Sequence, residues 1–138
     1  MLEEKIKAEA ARLGFSLAGI TSPAAPEHLE FYENWLAEGR QAEMSYLAGE
    51  RALTCRRDMS QLLPDVQAVI VLGLEYPAAL EQGPIAAYAL QEDYHLAVPV
   101  RLQALIKWLQ VEISQPLSAR VCTDSAPVLE RSLAQLLF

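Results

Sequence analysis

The sequence predicts an α/β (α+β) layered sandwich, a central sheet flanked by helices. Amphipathic stretches with apolar residues three and four apart alternate with short apolar runs, the alternation expected of helices packed on a sheet. The strongest run, Ala68-Val69-Ile70-Val71-Leu72-Gly73-Leu74, is unbroken and suits a central strand covered on both faces. The 138 residues suffice for one domain with a real core and are too few for two, so 1–138 reads as a single domain.

Residues Leu2 to Leu13 carry Leu2, Ile6, Ala10 and Leu13 on one stripe, and Gly14 is placed to end that helix. Phe15 to Thr21 is short, apolar and punctuated by glycine, which predicts a strand, and Ser22-Pro23-Ala24-Ala25-Pro26 a turn. A second helix is expected from about His28 to Glu38, burying Leu29, Tyr32, Trp35 and Leu36, with Gly39 ending it. Tyr46 to Leu63 reads as short helices and loop, Val66 to Tyr76 as the central strand, and Ile85 to Leu90 as a short helix or strand. The longest helix is expected from about Tyr94 to Ile113, with Pro99 either opening or kinking it. Ala119 to Thr123 is predicted as a third strand, and Ala126 to Leu137 as a final helix opened by Pro127.

Composition narrows the function classes. Apolar residues make up 52% and charged residues 21%, as in globular chains. No apolar run approaches the ~20 residues of a membrane span, and Met1-Leu2-Glu3-Glu4-Lys5 lacks a secretory layout, so a cytoplasmic protein without membrane contact is expected. Eighteen acidic residues against 11 basic ones give a net charge of −7, the wrong balance for gripping nucleic acid alone. Arg51, Arg56 and Arg57 cluster locally, diluted by Glu50 and Asp58, and read as a solvated face. Cys55 and Cys122 lack the spacing of a metal or cluster site and read as free thiols.

Two segments carry candidate chemistry. Asp124 follows a predicted strand and precedes Ser125-Ala126-Pro127; it suits a helix N-cap, or a general acid at a strand-tip cleft. These roles oppose each other, because capping stabilises the carboxylate whereas a neutral-pH acid must keep its proton. The second segment is Tyr88-Ala89-Leu90-Gln91-Glu92-Asp93-Tyr94-His95, which gathers two tyrosines, an aspartate and a histidine able to titrate near neutrality. His28 has no chemical neighbours along the chain and is expected to face solvent, while Met44 and Tyr46 suit either core filling or a loop over a pocket. Phosphate-cradling glycine loops, nucleophile elbows and zinc signatures are absent.

Taken together the segments resemble the N-terminal domain of the epoxyqueuosine reductases, cobalamin-dependent iron–sulfur enzymes of tRNA queuosine synthesis. The resemblance rests on Leu13-Gly14-Phe15-Ser16-Leu17-Ala18-Gly19-Ile20-Thr21, on Trp35-Leu36-Ala37-Glu38-Gly39 followed by Glu43-Met44-Ser45-Tyr46-Leu47, and on Leu62-Leu63-Pro64-Asp65 running into the central strand. It continues through Ile85-Ala86, Tyr88-Ala89 and Asp93-Tyr94-His95, and is most specific at Asp124-Ser125-Ala126-Pro127-Val128-Leu129-Glu130-Arg131. It implies a fold related to flavin nitroreductases and cobalamin-processing domains, and reduction of an epoxide to an alkene in a tRNA anticodon loop. Electrons would pass from [4Fe–4S] clusters through low-valent cobalt. By position Asp124 matches the family's proton donor, while Asp93, His95, Tyr88 and Arg131 match the cofactor-binding segments.

Departures from the family are as informative. Ala87 stands where a basic residue is usual, Glu75 where asparagine is usual, Ala42 where glycine is typical, and Pro99 interrupts a helix. The sequence stops before the family's cysteine runs, so it carries no cluster ligands. The resulting expectation is a truncated cobalamin-binding part, inactive alone, that meets tRNA only in a full-length enzyme and draws electrons from an iron–sulfur partner subunit or downstream domain. Self-association through an exposed face of Leu133, Leu136, Leu137 and Phe138 is also expected. Two other readings stay open: a non-catalytic binding domain that keeps the fold, and a flavin-binding nitroreductase-like domain.

Overall fold

The computed structural model describes residues 1–75, Pro84 and 93–138. Tyr88 and the element expected over Ile85–Leu90 lie outside the described residues. In chain order the elements are α1 (Leu2–Arg12), β1 (Leu17–Thr21), α2 (Leu29–Ala37), α3 (Glu50–Arg57), β2 (Val69–Gly73), α4 (Tyr94–Ile113) and α5 (Glu130–Leu137), with 3-10 turns at Ser45–Ala48 and Met59–Gln61. The described elements make an α+β fold with a two-stranded antiparallel sheet of β1 and β2. The chain divides into two compact units, Met1–Ala18 with Leu72–Asp124, and Gly19–Val71 with Ser125–Phe138.

In the first unit α1 packs on α4. Its core holds Ile6, Ala10, Phe15, Leu105 and Leu109, the larger of which each stabilise by about 1.5–3 kcal/mol. Gly14 ends α1 as its position predicts: at φ +98° it lets Phe15 N donate to Ala10 O at 3.0 Å and its own N to Ala11 O at 3.0 Å. This left-handed cap satisfies carbonyls that the helix end would otherwise orphan and folds Phe15 back into the core. Beyond the cap, Ser16 N donates to Gly73 O at 2.9 Å and Ser16 Oγ donates to the same oxygen at 3.2 Å.

Helix α4 opens at Tyr94, and Asp93 caps it by accepting from His95 N at 2.9 Å. Pro99 therefore does not open the helix; it lies inside an unbroken 20-residue run. It has no N–H to donate to the His95 carbonyl four residues back. Ser114, at φ +53°, supplies the left-handed C-cap.

Helix α2 in the second unit closes as α1 does. Gly39, at φ +71°, donates to Leu36 O at 2.9 Å, and Arg40 N donates to Trp35 O at 3.2 Å. Segment 46–63 forms short helices and turns, as expected. Cys55, Met59 and Leu133 are buried here. Gly19 lies beneath Leu137, close enough that a Cβ at Gly19 would stand 3.0–3.3 Å from that side chain.

Three expectations need correction. Residues 119–123 form no strand; apolar composition suits a strand, but a strand also needs a neighbour to complete its hydrogen-bond ladder, and the described sheet has only two members. The last helix begins at Glu130 rather than Ala126, because Asp124 at φ +58° and a tight Val128 N to Ala126 O bond of 2.8 Å turn the chain first. Leu133 is buried rather than exposed and Leu137 is half-buried, leaving Leu136 and Phe138 as the exposed pair.

Candidate functional site

The site is built outward from the first residues of α4. Asp93 sits just before the helix, where its carboxylate meets N–H groups that have no intrahelical partner. Oδ1 accepts from His95 N and lies 3.0 Å from His95 Nδ1. The backbone N–H of His95, seconded by its ring, holds the Asp93 carboxyl below its ordinary value of 3.8. With its ring fixed on one side by Asp93, His95 stacks on Tyr94, the centroids 4.1 Å apart at an interplanar angle of 29°.

Tyr94 then reaches across 30 residues of sequence. Its hydroxyl donates to Asp124 Oδ2 at 2.8 Å. Asp124 is exposed and occupies the left-handed region, which aspartate tolerates better than most residues. Beside it, Thr123 Oγ1 is buried without a hydrogen-bond partner among the described residues. Asp93, Tyr94, His95 and Asp124 thus form one connected cluster within the first unit.

Three of the sequence-derived site residues are therefore brought together: Asp93, His95 and Asp124. Arg131 is exposed in the first turn of α5, in the second unit, and Tyr88 lies outside the described residues. The N-cap reading of Asp124 is overturned, since α5 starts six residues later with Leu129 at its cap and no side-chain capping bond. Tyr94 was missed as a site residue; its place between Asp93 and His95 was the available signal.

His28 also departs from expectation. It is half-buried, its Nδ1 2.9 Å from Ser132 Oγ, and its backbone N donates to the same oxygen at 3.2 Å. Met44 and Tyr46 are exposed and fill no core.

Leu96 and Val100, one turn apart on α4, are 65% and 70% exposed and form an apolar ridge on the helix that Asp93 caps. Such a ridge can pack against an apolar ring. An iron–sulfur cluster does not fit. Cys55 is buried and Cys122 half-buried, and among the described residues there is no group of three His, Cys, Asp or Glu side chains able to hold a metal ion. No helix among the described residues is long and apolar enough to cross a membrane.

The family model described as Epoxyqueuosine reductase QueG, DUF1730 matches residues 56–125, a stretch that contains the whole cluster. Curated relatives are similar over nearly all of the chain. An epoxyqueuosine reductase of Synechococcus sp. (strain RCC307) is 34% identical, over 97% of this chain and 43% of its own length. That of Pseudomonas aeruginosa is 33% identical, over 97% and 39%, and that of Gloeobacter violaceus 36%, over 95% and 42%. The chain spans about two fifths of the length of these relatives. No solved structure matches it. With a matched stretch that takes in half of its residues and the cluster around Asp124, the chain belongs to the epoxyqueuosine reductase QueG family.

Proposed function

We propose that this chain is the cobalamin-binding part of an enzyme that reduces the epoxide of epoxyqueuosine in tRNA to an alkene, with Asp124 as the proton donor. The observation that carries this reading is the Asp93–His95–Tyr94–Asp124 cluster, which lies inside the family-matched stretch, at the start of the helix that exposes Leu96 and Val100. Converting an epoxide to an alkene breaks two C–O bonds, consumes two electrons and two protons, and releases one water. Bound cobalamin would supply low-valent cobalt to deliver the electrons.

The chain's own residues supply the rest. Leu96 and Val100, exposed on α4, would cover one face of the ring, and Asp93 and His95 at the helix start would be placed to bond its amide fringe. Asp124 delivers a proton to the departing epoxide oxygen. An apolar ring placed over its carboxyl would favour the protonated form that a donor needs. The iron–sulfur electron supply lies outside the ligand set of this chain, whose two cysteines cannot hold a four-thiolate cluster.

Titrating the chain with reduced cobalamin, followed in the visible spectrum, tests the reading. Saturable binding that is lost on replacing Leu96 and Val100 together by aspartate is expected. A spectrum unchanged at every ratio refutes it.

A further inference from the structure

The hydrogen bond from Tyr94 to Asp124 calls for an explanation beyond fold stability. The bond lies at the surface, with Asp124 exposed and Tyr94 half-buried, where a single hydrogen bond contributes little net stability because water competes for its partners. Asp124 nevertheless holds a left-handed backbone, φ +58°, which costs a non-glycine residue about 1–2 kcal/mol. The tyrosine ring is held in its turn: His95 stacks on it at 4.1 Å, and Asp93 fixes His95 through Nδ1. Three residues on α4 and its cap are thus ordered so that one phenol meets one carboxylate oxygen.

We propose that Tyr94 is the positioning residue for Asp124, orienting its carboxyl and stabilising the carboxylate formed when the proton leaves. The inference rests on the role proposed above for Asp124. In the step, the Asp124 O–H bond breaks, its proton forms a new O–H bond on the departing epoxide oxygen, and the electron pair stays on the carboxylate. The Tyr94 hydroxyl keeps its own proton and donates throughout. Its bond strengthens as negative charge grows on Asp124, since a hydrogen bond to a charged acceptor is about twice as strong as a neutral one. The stabilisation is therefore larger in the transition state than before it, the condition for raising kcat rather than tightening binding. His95 and Asp93 act one step further back, by fixing the ring that carries the hydroxyl.

The test uses the full chain with reduced cobalamin, titanium(III) citrate as electron source and an anticodon stem-loop bearing epoxyqueuosine. Tyr94→Phe, which keeps the ring and its stacking, is expected to lower kcat by about 10- to 100-fold with KM unchanged. That loss should vanish in the Asp124→Asn background, because Tyr94 acts through Asp124. A Tyr94→Phe enzyme at full rate, or a loss that persists beside Asp124→Asn, overturns the inference and leaves the role of Asp124 intact. Full activity of Asp124→Asn overturns the role of Asp124 and the inference with it. If the wild-type chain shows no turnover, the carbon-13 resonance of the Asp124 carboxyl decides. Movement on Tyr94→Phe but not on Tyr32→Phe supports the positioning, and no movement overturns it.

Discussion

Ser132 Oγ sits 2.9 Å from His28 Nδ1 and accepts from His28 N at 3.2 Å, joining the residue before α2 to the buried face of α5 across 104 positions of sequence. The hydroxyl accepts from the backbone N–H and shares a second hydrogen bond with the imidazole, so both groups are partnered. Removing it strands a donor that water reaches poorly. Ser132→Ala is expected to destabilise the chain by about 1–2 kcal/mol, read as a lower denaturant midpoint with an unchanged slope.

Ala42 occupies φ +50°, in the left-handed region that favours glycine. A Cβ there is strained against the following carbonyl. Ala42→Gly should raise stability by about 1 kcal/mol, seen as an increased urea midpoint. An unchanged or lower midpoint would contradict this account of the position.

The two helix-ending glycines should respond unequally to alanine. At Gly39 a Cβ would meet nothing within 4 Å, so only the backbone cost of about 1 kcal/mol applies. At Gly14 the Arg101 guanidinium that a Cβ would meet at 2.7 Å can swing away, but φ of +98° lies further from the left-handed well open to L-residues than the +71° of Gly39. Gly14→Ala should therefore destabilise more than Gly39→Ala in parallel thermal melts.

Glu9 predicts an acid-sensitive tie within α1. It is buried, and Arg12 grips both carboxylate oxygens, at 2.8 Å from Nε and 2.6 Å from Nη2. Those hydrogen bonds hold its carboxyl below the ordinary value of 4.5. A carboxyl lowered in the folded state contributes stability that is complete above 4.5 and fades as pH falls through the folded value. Glu9→Gln should thus flatten the stability profile below that pH and leave its neutral limb parallel, as measured by denaturation across a pH series.

Much of the fold was legible in the chain because its signals are local. The apolar stripe of α1 and the glycines that close α1 and α2 act over one or two turns, and both glycines take the left-handed backbone their positions call for. The run Val69–Gly73 forms a strand where its apolar residues are continuous. Asp93 and His95 could be singled out together because they lie two residues apart.

Long-range choices were not legible in that way. Whether 119–123 became a strand depended on a partner ladder, and the start of α5 depended on a left-handed Asp124 that no propensity requires. Tyr94 gave no sign in sequence of the carboxylate it serves 30 residues on, nor His28 of Ser132. Local sequence settles helix, cap and strand propensity because those free energies arise between near neighbours. Packing of distant segments settles which hydroxyl meets which carboxylate or imidazole, because a hydrogen bond forms only where the folded chain delivers both partners within about 3 Å.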